Sequence, residues 1–369
     1  MGKETDDLLH LAEQVSTSAP SRELDMLVTG GERKACALVA MALNDVGVPA
    51  ASFTGSQAGF RTDTTHMNAK ILDIGPTRVQ ASVEAGQVPV VGGSQGVSTE
   101  HDVTFLGRGG SDTTAVALAS ALGADACELY TDVPGVFTTD PRVVAEARRM
   151  ATVSFDELLE MTATGCPKPA MRAVELARTK EVKLHVRSAF TWAPGTWVIK
   201  EDPVESAIIS AVTHDTSEAK MTVSGVPDRP GIAASLFRHL ADSEVNVDMI
   251  VQNVSRDGVT DISFTIPRDQ VAAAEETARE LKSELESAGV GADPSIARVS
   301  LIGAGMQTNP GVAARMFETL SEAGINIEMI STSAIRISCV IRDHEAERAV
   351  EVLHRAFELH KPAEERGAV

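Results

Sequence analysis

The chain has 369 residues, 43% of them hydrophobic, too long for one ordinary domain and rich enough to bury two or three cores. Asp and Glu number 52 against 33 Lys and Arg, a formal charge of −19. A surface this acidic repels phosphate backbones and anionic lipid, which argues against nucleic acid and membrane as partners.

The opening MGKETDDLLHLAEQ has no cationic stretch followed by an apolar one, so no signal peptide is expected, and no apolar run reaches membrane-spanning length. The four cysteines, Cys36, Cys127, Cys166 and Cys339, are scattered without CxxC spacing. Neither a zinc site nor a disulfide framework is expected, and a reducing cytoplasm fits.

Residues 32–46 (ERKACALVAMALNDV) place Ala35, Leu38, Val39, Ala42 and Leu43 on one face, which predicts a helix. FTGSQAG at 53–59 is a polar glycine loop, and VPVV at 88–91 reads as a buried strand running into Gly92 and Gly93. The most specific run is LGRGGSDTT at 106–114, whose glycines let backbone approach a ligand and whose Gly-Ser-Asp opens a helix through residue 122. Arg108 can grip a carboxylate with two parallel N–H bonds. Ser111 and Asp112 also suit plain helix caps. CELYTDV at 127–133 reads as a strand. It leads into TDVPGVFTTDPR at 131–142, at a strand's carboxyl end, where open α/β sheets bind ligands. Strands alternating with helices predict an α/β sandwich with a largely parallel sheet.

WAPG at 192–195 and the polar stretch at 200–203 mark a boundary, beyond which the sequence repeats. GVPDRPGIAASLFRHLADSEVNVDMI from Gly225 matches GMQTNPGVAARMFETLSEAGINIEMI from Gly305 at a constant offset. Pro230-Gly231 pairs with Pro310-Gly311, Asn246 with Asn326, and Met249-Ile250 with Met329-Ile330. Each copy reads strand, Pro-Gly loop, helix, then a strand beginning at the Asn. A loop opening a helix offers N–H groups to a carboxylate, although most Pro-Gly pairs are only turns.

The repeat resembles the ACT domain, a small amino-acid-binding regulatory module. FTGSQAG, LGRGGSDTTA and TDVPGVFTTDPR, in that order and followed by two such repeats, resemble the aspartokinase family over nearly the whole chain. The resemblance implies an α/β amino-acid kinase sandwich (carbamate kinase-like) at 1–204. It implies α+β ACT regions at 205–297 and 298–369. It also implies phosphorylation of the L-aspartate side chain by ATP with Mg²⁺, giving 4-phospho-L-aspartate on the way to lysine, threonine and methionine.

Carried over by position, Thr5, Glu32, Arg108, Gly109, Gly110 and Ser111 would hold aspartate. Glu32 would meet its ammonium and Arg108 a carboxylate. Ser111, Thr131, Asp132, Phe137, Thr138, Thr139, Asp140, Pro141, Arg142 and Lys168 would lie along ATP, with Phe137 where the family usually has Tyr. Arg108, Asp112 and Lys168 would carry the chemistry, with no protein-held metal. Threonine, lysine or both would bind as effectors near Asp228, Gly231, Ile232, Asn246, Val247, Asp248 and Gln252. A related site would involve Ala313, Ala314, Asn326, Ile327 and Glu328. A homodimer through the ACT repeats is implied, or an assembly with a second subunit.

Departures from the family pattern bear on activity. The family opens with Lys-Phe-Gly-Gly or a variant, a segment this sequence does not contain. Its Gly-Ala-Lys-Val-Leu is here GCPKPAM at 165–171, with Lys168 between two prolines. Ser94 replaces a common Phe, and Ala334 stands where Glu is frequent. Little turnover is therefore expected of the 369-residue chain alone. Two alternatives stay open: an impaired paralogue acting as a regulatory subunit, and a kinase for another acidic substrate.

Overall fold

A computed structural model describes residues 3–200, 208–252, 258–282, 284–307 and 309–366. The chain divides into two units, one of residues 1–136, 150–162 and 167–202, the other of 137–149, 163–166 and 203–369.

The first unit opens with helices α1 (Glu4–Val15) and α2 (Ser21–Asp45). The helix expected at 32–46 is thus the second half of a longer one. Its first half escapes a hydrophobic-period search because its inward face carries Asp25 and Thr29, both fully buried. Leu38 and Val39 are 49% and 39% exposed, whereas Val28, Cys36 and Ala40 turn inward.

Then come β1 (Ala50–Phe53), β2 (Phe60–Thr62), β3 (Ile71–Ile74), α3 (Thr77–Glu84), β4 (Val88–Val91), β5 (Gln95–Ser98) and β6 (Val103–Phe105). These lead to α4 (Gly110–Leu122), β7 (Cys127–Thr131), β8 (Thr152–Ser154), α5 (Phe155–Ala163), α6 (Met171–Lys180), β9 (Leu184–Ser188) and β10 (Thr196–Ile199). Strand β1 pairs parallel with β4, and β7 parallel with β9. The sheet orders are β1-β4, β7-β9-β10-β8 and β3-β2-β5-β6. Phe53, Ala58, Phe60, Val79 and Ala117 form a core between the first strands and α4. The parallel pairs leave the carboxyl ends of β4 and β7 to lead into the glycine loop and the Thr131 loop.

The second unit holds β11 (Ala211–Asp215), β12 (Glu218–Pro227), α7 (Ile232–Asp242), β13 (Ile250–Gln252), β14 (Val259–Pro267), α8 (Val271–Glu280) and β15 (Gly289–Asp293). The second copy follows as β16 (Ile296–Ile302), α9 (Val312–Glu322), β17 (Met329–Thr332), β18 (Arg336–Arg342) and α10 (Ala346–Ala356). Each copy builds a four-stranded antiparallel sheet, β13-β14-β12-β15 and β17-β18-β16-β11. The fourth strand follows the first copy but precedes it in the case of the second. The strand expected to begin at each Asn begins later, at Ile250 and Met329. Gly231 and Gly311 cap α7 and α9 at φ of +104° and +109°, which explains the recurring Pro-Gly pairs. Met249, Ile296, Met329 and Val340 share one apolar cluster, joining the two copies. Among the described residues no helix is long and apolar enough to cross a membrane.

Candidate active site

The loop after β4 and the loop before α4 meet by close backbone approach. A Cβ on Gly93 would stand 2.8 Å from Ser111 Oγ, one on Gly110 2.6 Å from Ser94 Oγ, and one on Gly109 2.5 Å from Ala170 Cβ. Only glycine fits at these three places, so the run is a cradle rather than a flexible linker. Gly109 takes φ +72° as the cap of α4, and no side chain caps that helix start. The first N–H groups of α4 therefore suit an anionic group.

Ser94 lies in the floor of this cradle, 4% exposed, with its hydroxyl 3.3 Å from that of Ser111. Its own N–H donates to Thr114 Oγ1 at 3.0 Å, and its carbonyl accepts from Leu106 N–H at 2.9 Å. The FTGSQAG loop packs behind it, with Gly55 N–H donating to Gln95 Oε1 at 3.3 Å.

Asp112 accepts a hydrogen bond from Ala170 N–H at 2.9 Å. That contact brings the segment carrying Lys168 to the start of α4. Of the three residues expected to carry chemistry, Asp112 and the Lys168 segment are thus assembled around one helix end. Arg108 is 84% exposed and pairs with Asp6 at 3.1 Å, at one residue's remove from Thr5 on α1. Glu32 sits half-buried on α2, and burial holds its carboxyl above the ordinary carboxylate range. Thr131 ends β7, nearly buried, with its hydroxyl 2.9 Å from Val133 O, and Asp132 beside it is exposed.

Residues 137–142 belong to the second unit. There Thr138 and Thr139 are 2% and 4% exposed. The Thr138 hydroxyl lies 3.0 Å from Nε2 of His354 on α10, and its carbonyl accepts from Val212 N–H at 2.8 Å. Thr138 thus packs against the second copy, and both threonines are buried rather than open to solvent. Asp140 is held by Arg142 at 2.7 Å, and that hydrogen bond keeps its carboxyl below the ordinary range. Pro141 is exposed beside them, and Phe137 bridges to Arg149.

In the first copy Asp228 and Gly231 are exposed just before α7 and Asn246 and Gln252 are exposed after it, with Ile232 buried and Val247 half-buried. In the second, Ala314 and Asn326 are exposed, while Ala313 and Ile327 are half-buried. Two carboxylates already have partners. Asp248 pairs with Arg298, and Glu328 pairs with Lys220 and, at 2.6 Å, with Arg342. Ala334 lies exposed in the turn between β17 and β18.

Sequence reasoning missed Gln95, Asp25, His66 and Arg172. Asp25 did leave a signal, a carboxylate inside the apolar run LDMLV two helical turns before Glu32.

The amino acid kinase family profile matches residues 1–188, and the ACT domain profile matches 221–280 and 299–357. Aspartokinase of Mycolicibacterium smegmatis is 55% identical over 365 residues, 97% of this chain and 87% of that protein. The aspartate kinase of Stutzerimonas stutzeri is 47% identical, with 98% of this chain and 89% of that protein covered. Among solved structures, E. coli aspartokinase III in complex with aspartate and ADP, an R-state, is similar at a TM-score of 0.83 and 26% identity. That match covers 96% of this chain and 80% of that one. The same enzyme with lysine and aspartate, a T-state, gives 0.70 at 27% identity, covering 96% and 79%. Helix-flanked parallel strands, a glycine cradle at a helix start and two ACT repeats accord with these matches, and the chain belongs to the aspartokinase family.

Proposed function

We propose that this chain transfers the γ-phosphoryl group of MgATP to the side-chain carboxylate of L-aspartate, giving 4-phospho-L-aspartate, an early step towards lysine, threonine and methionine. The observation that carries this reading is the cradle of Gly93, Gly109 and Gly110 around Ser111 at the uncapped start of α4. A carboxylate oxygen of aspartate forms a bond to the γ-phosphorus while the bond to the β-phosphate oxygen breaks, and ADP leaves with that electron pair. Such a transfer asks the protein for positioning and charge compensation more than for covalent help. Glu32 would take the substrate ammonium and Arg108 a carboxylate. Lys168, the α4 N-terminus and Mg²⁺ arriving with ATP would offset charge on the phosphates.

The test is ADP release with L-aspartate and MgATP in the presence of hydroxylamine, which converts an acyl phosphate into a hydroxamate. Aspartate-dependent ADP with matching hydroxamate is expected, at a low rate given the departures from the family pattern that include the 165–171 segment. ADP that forms without aspartate, or without hydroxamate, would overturn the reading. Arg108→Lys should raise the aspartate KM about 10-fold and leave the MgATP KM unchanged, since Lys cannot reproduce a two-bond grip.

Regulation would run through the repeats. The starts of α7 and α9 lack side-chain caps, which supports capture of a free amino acid by its carboxylate. Asn246 and Asn326, which follow the carboxyl ends of those helices, are assigned to its ammonium. With Asp248 and Glu328 engaged and Ala334 in place of an acid, threonine should bind better than lysine. Calorimetric titration of the full chain with each amino acid decides this; heat from lysine and none from threonine would reverse the assignment. Dimerisation through the open edges of the repeat sheets is part of the same proposal, because an unpaired edge seeks a partner. A monomer in sizing chromatography with light scattering at micromolar concentration would count against it.

A further inference from the structure

Asp25 is a carboxylate with no exposed surface, in the second turn of α2. Its Oδ2 lies 2.7 Å from Nδ1 of His66, and its Oδ1 accepts from Met67 N–H at 2.8 Å. Burying a carboxylate is costly unless it is paired and hydrogen-bonded. Here both oxygens are spent on one loop, residues 63–69, between β2 and β3. Asp63 tightens that loop from within, accepting from Thr65 N–H at 3.2 Å and from Lys70 N–H at 3.0 Å.

The same loop lies against the run that presents Arg108. Ala69 N–H donates to Phe105 O at 2.9 Å. Arg172, on α6, donates from Nη1 to Leu106 O at 2.9 Å and from Nη2 to Ala69 O at 2.7 Å, so one guanidinium ties both loops together. Gly107 takes φ +87°, and a Cβ there would stand 3.2 Å from Met67 O and 3.3 Å from Asn68 Oδ1. The next residue is Arg108. Two turns along α2 from Asp25, on the same helix face, stands Glu32, about 10 Å away at the rise of an α-helix.

We infer that the Asp25–His66 pair is a positioning device that sets the spacing between Glu32 and Arg108, and through it the length of acidic amino acid the site accepts. One helix carries Glu32 directly and, through Asp25, fixes the 63–69 loop on which the Arg108 loop rests. The assignment rests on the proposed roles of Glu32 and Arg108 towards substrate, whereas the coupling of the two loops stands on the contacts alone. Asp25 itself touches no substrate. It acts through Met67, Asn68 and Gly107.

Two variants test this. Asp25→Asn keeps an acceptor for Met67 N–H but loses the charge that holds His66. His66→Gln alters a side chain that is 22% exposed, so it disturbs the core less if the first variant folds poorly. In amide hydrogen exchange of the full chain, residues 66–69 and 106–109 should loosen together, by about 10-fold or more, while β1 and β4 keep their protection. In kinetics, the aspartate KM should rise about 10-fold with MgATP KM unchanged, as expected of a misplaced substrate contact. The preference for aspartate over glutamate should fall by a similar factor. A merely structural role would lower the folded fraction and leave that preference intact, and such a result would overturn the inference. So would loosening of the 66–69 loop alone. If the wild type binds aspartate neither in calorimetry nor in turnover, the proposed function fails, and the exchange result still decides whether the loops are coupled.

Discussion

The first repeat carries Glu218 where the second carries Arg298, each on the first strand of its repeat, and the two side chains meet at 3.0 Å. Asp248 in the first repeat also reaches across to Arg298, while Glu328, at the same position in the second, reaches back to Lys220. The apolar frame has hardly changed between copies. Leu236 and Leu240 match Met316 and Leu320, all fully buried, and the two Pro-Gly caps share their backbone angles. What diverged are the strand positions through which the copies face each other. Once duplicated modules pack on one another, complementary charges specify that pairing in a way two identical faces could not.

Arg298 is the centre of the asymmetry, 1% exposed and also bonded to the carbonyl of Ala163 at 2.8 Å. Arg298→Met would leave Glu218 and Asp248 without their cation, and removing one partner from a buried pair typically costs about 3–5 kcal/mol. Chemical denaturation of the full chain should show a loss of that order. A loss below about 1 kcal/mol would mean that water already serves the cluster.

The repeats should also answer pH in opposite directions. Burial pushes the Glu218 carboxyl up from 4.5 to about 7, with Arg298 opposing and Asp215 and Asp248 adding to the rise. Its folded value exceeds its unfolded one, so its contribution is complete below pH 4.5 and lost as pH rises through about 7. Burial pushes His354 down from 6.5 to about 4, helped by the charges of His360 and Arg366. Its contribution is complete above pH 6.5 and lost as pH falls through about 4. Each effect amounts to about 3 kcal/mol at most. Between pH 4.5 and 7, Glu218→Gln should make stability climb more steeply with pH than in the wild type, and His354→Gln should make it climb less. Parallel profiles for all three proteins would remove the contrast.

Gly231→Ala and Gly311→Ala test the conserved part of the frame. A Cβ at either place meets nothing within 4 Å, so only the positive φ is strained. Equal losses of about 1–3 kcal/mol are expected. Unequal losses would show that the two caps carry different loads despite matching geometry. The smallest effect should come from Lys220→Met, because Glu328 keeps Arg342 as a partner. A loss of about 1 kcal/mol or less is expected there by thermal or chemical unfolding.

Much of the candidate site was legible in the sequence because its demands are local. A glycine is needed where backbone must approach within van der Waals contact, and LGRGGSD records that at Gly109 and Gly110. Asp112 and the Lys168 segment could be paired only through resemblance, since the hydrogen bond between them spans 58 residues. Thr138 and Thr139 look open in a polar TTDPR loop, yet the fold buries both, Thr138 against His354. Polarity of a short loop does not report which core lies beneath it.

By itself the sequence determined the alternation of strands and helices, the glycine cradle, the duplication and the helix caps, since each depends on neighbours a few residues apart or on direct repetition. Tertiary structure alone decided that the second repeat's sheet is completed by β11, which precedes the first repeat, and that Asp25 turns inward to hold His66 and Met67. It also decided that Arg298 is enclosed by carboxylates from distant strands. A charge reads as surface in any local window, and only the fold shows whether its counter-charge has been brought within hydrogen-bonding reach.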